Sequence, residues 1–372
     1  MTIGILKETQ QGETRVAISP QIAKQLIGKD FKIIVEEDAG TTSSFKDSDY
    51  EEIGAHIEKR GVVFKESDVL LKINPFDEED VKLIDKSHVL ISQLFHKSNP
   101  DLMKAIAATG ASAFSLDAMP RISRAQDMDV LSSQSNLAGY KSVIRGAYEM
   151  TKIFPLMMTA AGTITPARVL VYGVGVAGLQ AIATAKRLGA IVEATDIRPE
   201  TKEQTESLGA KFIEVENDGE EEASVYAKVA SEEYMQKQKE AVNKSLFKAD
   251  LVITTAMVPG RMSPVLITKE QVNQMKNGAV IIDLAAAQGG NCELSRMDEI
   301  VVQNGVRIIG TTISPESVST NASELFGKNL YNFIMHLTED GKFKWELDEE
   351  ITDSTLIIQN GTIRKNGKTI TT

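Results

Sequence analysis

Gly173, Gly175 and Gly178 stand at the G-x-G-x-x-G spacing, and Asp196 follows them about 20 residues on, as a dinucleotide fingerprint requires. The first glycine allows a tight turn, the second lets backbone approach a pyrophosphate, and the third lets a helix pack closely on a strand. An aspartate at the end of the next strand can accept hydrogen bonds from both ribose hydroxyls and repels a 2′-phosphate. The chemistry these residues suit is binding of NAD(H) in preference to NADP(H). Arg198 is the discordant group, since a nearby arginine can accommodate a 2′-phosphate or stack on adenine. The acid decides for NAD(H).

Two further polar groups could act on a bound molecule. Arg15, Lys72 and His96 could make a carboxylate site with an acid/base. The loop from Arg121 to Ser132 could hold a nicotinamide carboxamide. His56, His88, His96 and His336 show no ligand spacing and Cys292 stands alone, so no metal site is expected. A nucleophile elbow is absent. Hydride transfer needs neither, because the nicotinamide carries the electrons and the protein positions the ring.

The elements that must position these residues are legible around the fingerprint. Val169-Leu170-Val171-Tyr172 reads as a buried strand, and Leu179, Ile182 and Ala183 mark one face of a helix that stops at Gly189. Ile191–Thr195 is the second strand and delivers Asp196. Lys211–Val215, Leu251–Thr255, Ala279–Leu284 and Val306–Gly310 complete six parallel strands, with Thr254–Met257 and Asp283–Ala285 at their carboxyl ends, where ligands bind. Before the fingerprint, strands at Thr2–Leu6, Lys32–Val35, Val69–Ile73, His88–Ile91 and Ser112–Phe114 alternate with helices at Pro20–Ile27, Asp47–Ile53, Glu78–Ile84 and Asn99–Ala108. That alternation implies a second parallel, doubly wound sheet, but its first turn, Lys7–Gly12, lacks the glycines.

The expected fold is therefore α/β, with two Rossmann-like domains facing each other across a cleft. Residues 1–135 and 319–372 form the domain without the fingerprint, and residues 136–318 form the NAD(H)-binding domain. Met119–Asn136 is polar, without a helical or strand period, and suits a cleft-lining loop. Leu137–Ile153 reads as a bridging helix. Asn217–Lys244 is long; its Glu220–Glu222 run reads as a solvated face, and the length of the insertion suits a mobile lid over about residues 217–240. Ser319–Leu337 reads as a helix returning to the first domain, where Asn360-Gly361 and Asn366-Gly367 mark turns of a small β tail.

Composition narrows the partners. The 372 residues give room for two cores, and 42% hydrophobic with 25% charged residues is a globular balance. A formal charge of −11 argues against nucleic acid and against anionic membrane. The single cysteine excludes an internal disulfide framework and fits a reducing compartment. The N-terminus lacks a basic stretch followed by an apolar core, so no signal peptide is expected. No run approaches the roughly 18 apolar residues of a membrane helix, and a membrane role is expected only through a partner.

Arg121-Ile122-Ser123-Arg124-Ala125-Gln126 with Asp129 and Ser132, followed by Leu137-Ala138-Gly139-Tyr140, closely resembles the NAD(H)-binding domain I of proton-translocating nicotinamide nucleotide transhydrogenase. Lys7-Glu8, Glu13–Pro20, Gly173–Gly178, Thr254–Ala256 with Pro259-Gly260, and Asp283–Ala285 with Gly289–Cys292 extend the resemblance over essentially the whole chain. Alanine dehydrogenase is the sister family, sharing the fold without the arginine–glutamine–aspartate loop.

The resemblance implies a Re/Si-specific NAD(P)+ transhydrogenase, active only with partner subunits, in which hydride passes between NADH and NADP+ held on another component. It implies that Arg121, Gln126, Asp129 and Ser132 surround the nicotinamide. It places cofactor binding at Gly173, Val174, Gly175, Val176, Ala177, Gly178, Asp196, Ile197, Arg198, Tyr226, Gln238, Ala256 and Met257, with Tyr226 on a loop that closes over NAD(H). A homodimer, an NADP(H)-binding component and a proton-moving membrane component are the implied partners. The implied location is cytoplasmic, peripheral on the inner membrane. The alternative is a free-standing NAD-dependent amino-acid dehydrogenase of the alanine dehydrogenase type, using Lys72 and a histidine.

Overall fold

The computed structural model describes residues 1–214, 232–257, 261–310, 315–365 and 368–369. They belong to two units, one of residues 1–134 and 315–372, the other of residues 135–314.

In the first unit, β1 (Thr2–Ile5), β2 (Lys32–Glu36), β3 (His56–Glu58), β4 (Val69–Leu71), β5 (Val89–Ser92) and β6 (Ser112–Ser115) form a parallel sheet in the order β6-β5-β4-β1-β2-β3. Strands covered on both faces read as continuous apolar runs. In β4, Val69 and Leu71 join one apolar cluster with Ile3, Ile5 and Phe114, while Leu70 joins another with Phe64 and Leu90. The crossovers carry α1 (Pro20–Ile27), α2 (Asp47–Glu51), α3 (Arg60–Glu66), α4 (Glu78–Leu83) and α5 (Pro100–Ala108). Proline at the first helical position starts α1, and Ile22, Ala23 and Leu26 form its buried stripe. β3 is a strand that the sequence pattern does not announce, being a short edge with mixed polarity.

The tail is not a separate hairpin. Leu356–Gln359 adds antiparallel to β6, and the Asn360-Gly361 turn, both residues at positive φ, returns Thr362–Lys365 along it. The second Asn-Gly pair, Asn366-Gly367, lies outside the described residues.

Between the two sheets in chain order, α6 (Val130–Glu149) runs across the boundary of the two units. It begins at Val130 rather than Leu137 and so takes in Ser132, shortening the expected loop.

In the second unit, β7 (Met157–Thr159) and β8 (Gly162–Ile164) form an isolated antiparallel hairpin, in a stretch whose sequence shows only a short apolar run. The main sheet comprises β9 (Arg168–Tyr172), β10 (Ile191–Thr195), β11 (Lys211–Phe212), β12 (Leu251–Thr254), β13 (Val280–Asp283), β14 (Ile300–Gln303) and β15 (Val306–Ile309), ordered β11-β10-β9-β12-β13-β15-β14. Leaving β14 aside, the strands are parallel in the 3-2-1-4-5-6 order of the doubly wound dinucleotide fold. β14 is an antiparallel edge joined to β15 through Asn304-Gly305, both at positive φ. That Asn-Gly pair is the sequence signal for a strand the expected fold lacks. α7 (Val176–Arg187) follows β9, and α8 (Thr201–Ser207) follows β10. α6 approaches α7 so closely that a Cβ on Gly139 would stand 2.1 Å from the Ala177 carbonyl oxygen. Among the described residues no helix is long and apolar enough to cross a membrane.

Candidate functional site

The turn after β9 is built so that only glycine fits at its two ends. Gly173 has φ of +89°, in the region that disfavours a side chain, and a Cβ there would meet Thr255 Oγ1 at 2.6 Å. A Cβ on Gly178 would lie 1.9 Å from the Gly173 carbonyl oxygen. Thr255 ties the turn down, its hydroxyl donating to the Gly173 and Tyr172 carbonyl oxygens at 3.0 and 3.2 Å.

Gly175 differs. The first atom its Cβ would meet is Arg198 Nη2, at 4.0 Å. The protein's own packing leaves that glycine room, which suits backbone approach by a ligand. Gly175 is also the N-cap of α7 and offers no side-chain cap, so the first N–H groups of the helix keep their positive pole toward the same space. The residues present therefore fit a pyrophosphate.

Asp196 follows β10 and is almost buried, with its side chain 6% exposed. Val174 N–H donates to its Oδ2 at 2.6 Å. Arg198 donates its backbone N–H and Nε to Oδ1 at 2.9 and 3.0 Å, and Nη2 to Oδ2 at 2.9 Å. Burial pushes the carboxyl up, but the bonds from Arg198 and Val174 outweigh it and hold Asp196 below the usual carboxylate range. Between the two charges, Ile197 is 92% exposed and presents a bare apolar face.

The other residues assigned to this half divide. Ala256 is clamped by buried Asn291, which accepts its N–H at 3.0 Å and donates to its carbonyl oxygen at 2.8 Å; Met257 beside it is exposed. Asp283 organises the end of β13, accepting from Thr254 and Ser295 hydroxyls and from the Ala285 and Cys292 N–H groups. Gln238 points its amide at the Ile213 carbonyl oxygen, 2.9 Å away, and lies 3.5 Å from Thr195 Oγ1, so it braces the strand ends beside Asp196. Tyr226, the 217–231 part of the expected lid and Pro259-Gly260 lie outside the described residues, while residues 232–240 of that stretch open a helix, Glu232–Leu246. In sequence Asn291 and Thr255 are only members of motifs, and their clamping roles need the fold.

In the first unit, the Arg121–Ser132 segment has a period after all. Ser123–Met128 is a 3-10 helix, whose three-residue turn puts Ile122, Ala125 and Met128 on one face. Ala125 and Met128 are buried and Ile122 packs against the same core, so the segment is pegged down while Arg121 and Gln126 stay exposed. Asn329 and Asn332, one turn apart on the Ser319–Leu337 helix, both donate to the Asp127 carbonyl oxygen, at 2.7 and 3.0 Å. Arg124 pairs with Glu349 at 3.2 Å. Sequence reasoning misses these anchors, although two amides three apart on a helix face are there to be seen.

Asp129 does not pair with Arg121. It caps α6 instead, accepting Ser132 N–H at 3.0 Å and Ser132 Oγ at 2.6 Å. Changing Asp129 to Ala is expected to cost about 1 kcal/mol through the lost cap, read as a lower denaturation midpoint at unchanged m-value.

Arg15 and Lys72 are already matched. Arg15 holds Glu13 through Nε and Nη2 at 2.8 and 2.6 Å and Gln134 through Nη1 at 2.8 Å. Lys72, 1% exposed, donates to Asp80 at 2.8 Å. Glu8 lies beside them, bonded by Ile73 N–H at 2.6 Å, and burial pushes its carboxyl up against the pull of Lys72. Burial likewise lowers the pKa of His96, against Asp117, and its buried Nδ1 finds no partner among the described residues. A carboxylate substrate would have to compete with Glu13 and Asp80 for both cations.

Comparison with known proteins agrees over the full length. Residues 4–138 match the alanine dehydrogenase/PNT N-terminal domain and residues 142–366 the corresponding C-terminal domain. The chain is 50% identical to an NAD(P) transhydrogenase subunit alpha polypeptide of Rhodospirillum rubrum over 98% of its own length and 97% of that protein. It is 26% identical to alanine dehydrogenase 1 of Staphylococcus aureus over 99% of this chain and 95% of that one. The crystal structure of transhydrogenase from Sinorhizobium meliloti superposes with a TM-score of 0.90 at 40% identity, covering 98% of this chain and 100% of the other. With both domain models matched and such relatives along its whole length, the chain belongs to the alanine dehydrogenase/PNT family.

Proposed function

We propose that this protein is the NAD(H)-binding component of a proton-translocating transhydrogenase. The observation that carries the reading is the open space over Gly175 at the uncapped start of α7, with Asp196 beside it. In this reading the glycine turn and α7 take the pyrophosphate, Asp196 the ribose, and Ile197 the adenine face. Arg121, Gln126, Asp129 and Ser132 serve the nicotinamide, Asp129 and Ser132 by starting α6 and so setting where Arg121 and Gln126 project. NAD(H), when bound, supplies the carbon that gains or loses hydride. This chain orients it, and NADP(H) on a partner component receives or donates the hydride.

The reading extends to a homodimer and to a peripheral place on the cytoplasmic face of the inner membrane, through a membrane component that couples the reaction to proton translocation. The β7–β8 hairpin supports the homodimer. All its residues are exposed, Met158 at 78%, and a lone two-stranded hairpin is marginal in water without something to cover it.

Calorimetry tests the binding half. NADH is expected to bind more tightly than NADPH, and Asp196→Ala to weaken NADH by about 1–3 kcal/mol, the scale of hydrogen bonds to a charged acceptor. Equal affinities in the unaltered chain would refute the assignment. Transhydrogenation after mixing with an NADP(H)-binding component tests the rest. The alternative, an alanine dehydrogenase-type enzyme, predicts steady-state oxidation of NADH with pyruvate and ammonia, and the prior commitment of Arg15 and Lys72 speaks against it.

A further inference from the structure

We infer that Arg198 is a specificity-determining residue, which moderates the discrimination between NAD(H) and NADP(H) by neutralising Asp196 and occupying its acceptor sites. The inference rests on the reading of the glycine turn as a dinucleotide site.

An ionised carboxylate has about four lone-pair positions. At Asp196 four donors fill them: Val174 N–H and Arg198 Nη2 on Oδ2, and Arg198 N–H and Nε on Oδ1. A ribose diol reaches this carboxylate only by displacing a donor. Two of the four are backbone groups held by the turn and by the chain after β10. The guanidinium is the one that can leave, because the Arg198 side chain is 49% exposed. It also reaches within 4.0 Å of the Cβ position of Gly175, so its charge stands at the phosphate turn as well as at the ribose acid.

Two effects follow for the ligands. The diol of NAD(H) gains its bonds to Asp196 less those the guanidinium gives up, and charge-assisted bonds of that kind are the strong ones. A 2′-phosphate meets a carboxylate already paired with a cation, so its repulsion is offset at short range. Both effects narrow the gap between the two dinucleotides. Attraction of Arg198 for the pyrophosphate is common to both and cancels in the ratio of their dissociation constants.

Removing the guanidinium must then widen that ratio. Arg198→Gln and Arg198→Lys in the full chain, titrated with NADH and with NADPH by calorimetry, test this. A misfolded fraction lowers the stoichiometry and leaves Kd intact, and the two variants check each other. The NADPH-to-NADH ratio of Kd values is expected to rise about tenfold in Arg198→Gln, the scale of lost charged hydrogen bonds. It is expected to rise less in Arg198→Lys, which keeps the charge without the planar fork. A ratio that stays level or falls in Arg198→Gln overturns the inference. If the unaltered chain fails to bind NADH, the dinucleotide reading falls and the inference with it. If NADH binds and Asp196→Ala erases the preference while Arg198→Gln leaves it unmoved, the inference alone fails.

Discussion

Replacing Asp80 by Ala is expected to destabilise the first unit by about 3–5 kcal/mol, the cost of leaving a buried charge without its partner. Asp80 is fully buried, third in α4, and works in three directions. It accepts from Lys72 Nζ at 2.8 Å and from Arg60 Nε at 3.1 Å, and it closes the capping box of α4 by taking Asp77 N–H at 3.1 Å. Lys72, just after β4, is buried, so a charge left on it would stand in the core. Trp345, the single tryptophan, lies in the same unit, so its fluorescence in a urea titration reports the loss directly. The Lys72→Met, Asp80→Leu double variant should recover a large share, since apolar side chains of similar volume often replace a buried pair without loss. A fall under about 1 kcal/mol for Asp80→Ala would mean that Lys72 finds another partner.

Gln126→Asn is expected to slow hydride transfer about a hundredfold while NADH affinity changes little. Reacting carbons must come within roughly 3–3.5 Å, and a misplacement of about 1 Å costs on the order of a hundredfold. A glutamine amide complements a carboxamide through donors and an acceptor. Gln126 sits exposed on a 3-10 turn whose Ala125 and Met128 are buried and whose Asp127 carbonyl is held by Asn329 and Asn332. The amide is thus offered from a fixed base, and shortening it by one methylene withdraws it from whatever it orients. Stopped-flow transfer with the NADP(H) component, beside an NADH titration, separates the two effects. If affinity collapses and the transfer rate at saturation holds, the loop only binds and the positioning role is wrong.

The residue pattern alone carried the α/β architecture of both sheets, because strands buried on both faces must be apolar throughout and the helices between them must show a stripe. It also carried the glycine turn, since the requirement for no Cβ at Gly173 and Gly178 is local to one βαβ unit. Several features needed the fold because their cause is distant in sequence. β3 and β14 are edges whose pairing neighbours, not their own polarity, make them strands. The tail joined β6 because that strand had a free edge, which no local pattern announces. The Arg121–Ser132 segment looks aperiodic to tests for periods of 2 and 3.6, and its 3-10 turn exists because a core lies beneath Ala125 and Met128 and two asparagines some 200 residues on hold its backbone. Charge partners were the least legible of all. Sequence showed Arg15, Lys72, Asp129 and Asp196 as groups able to act, but which neighbour each one takes depends on turn geometry and rotamer, even two or three residues away. Only the tertiary structure decided that Glu13 takes Arg15, Asp80 takes Lys72, Ser132 takes Asp129, and Arg198 lies across Asp196.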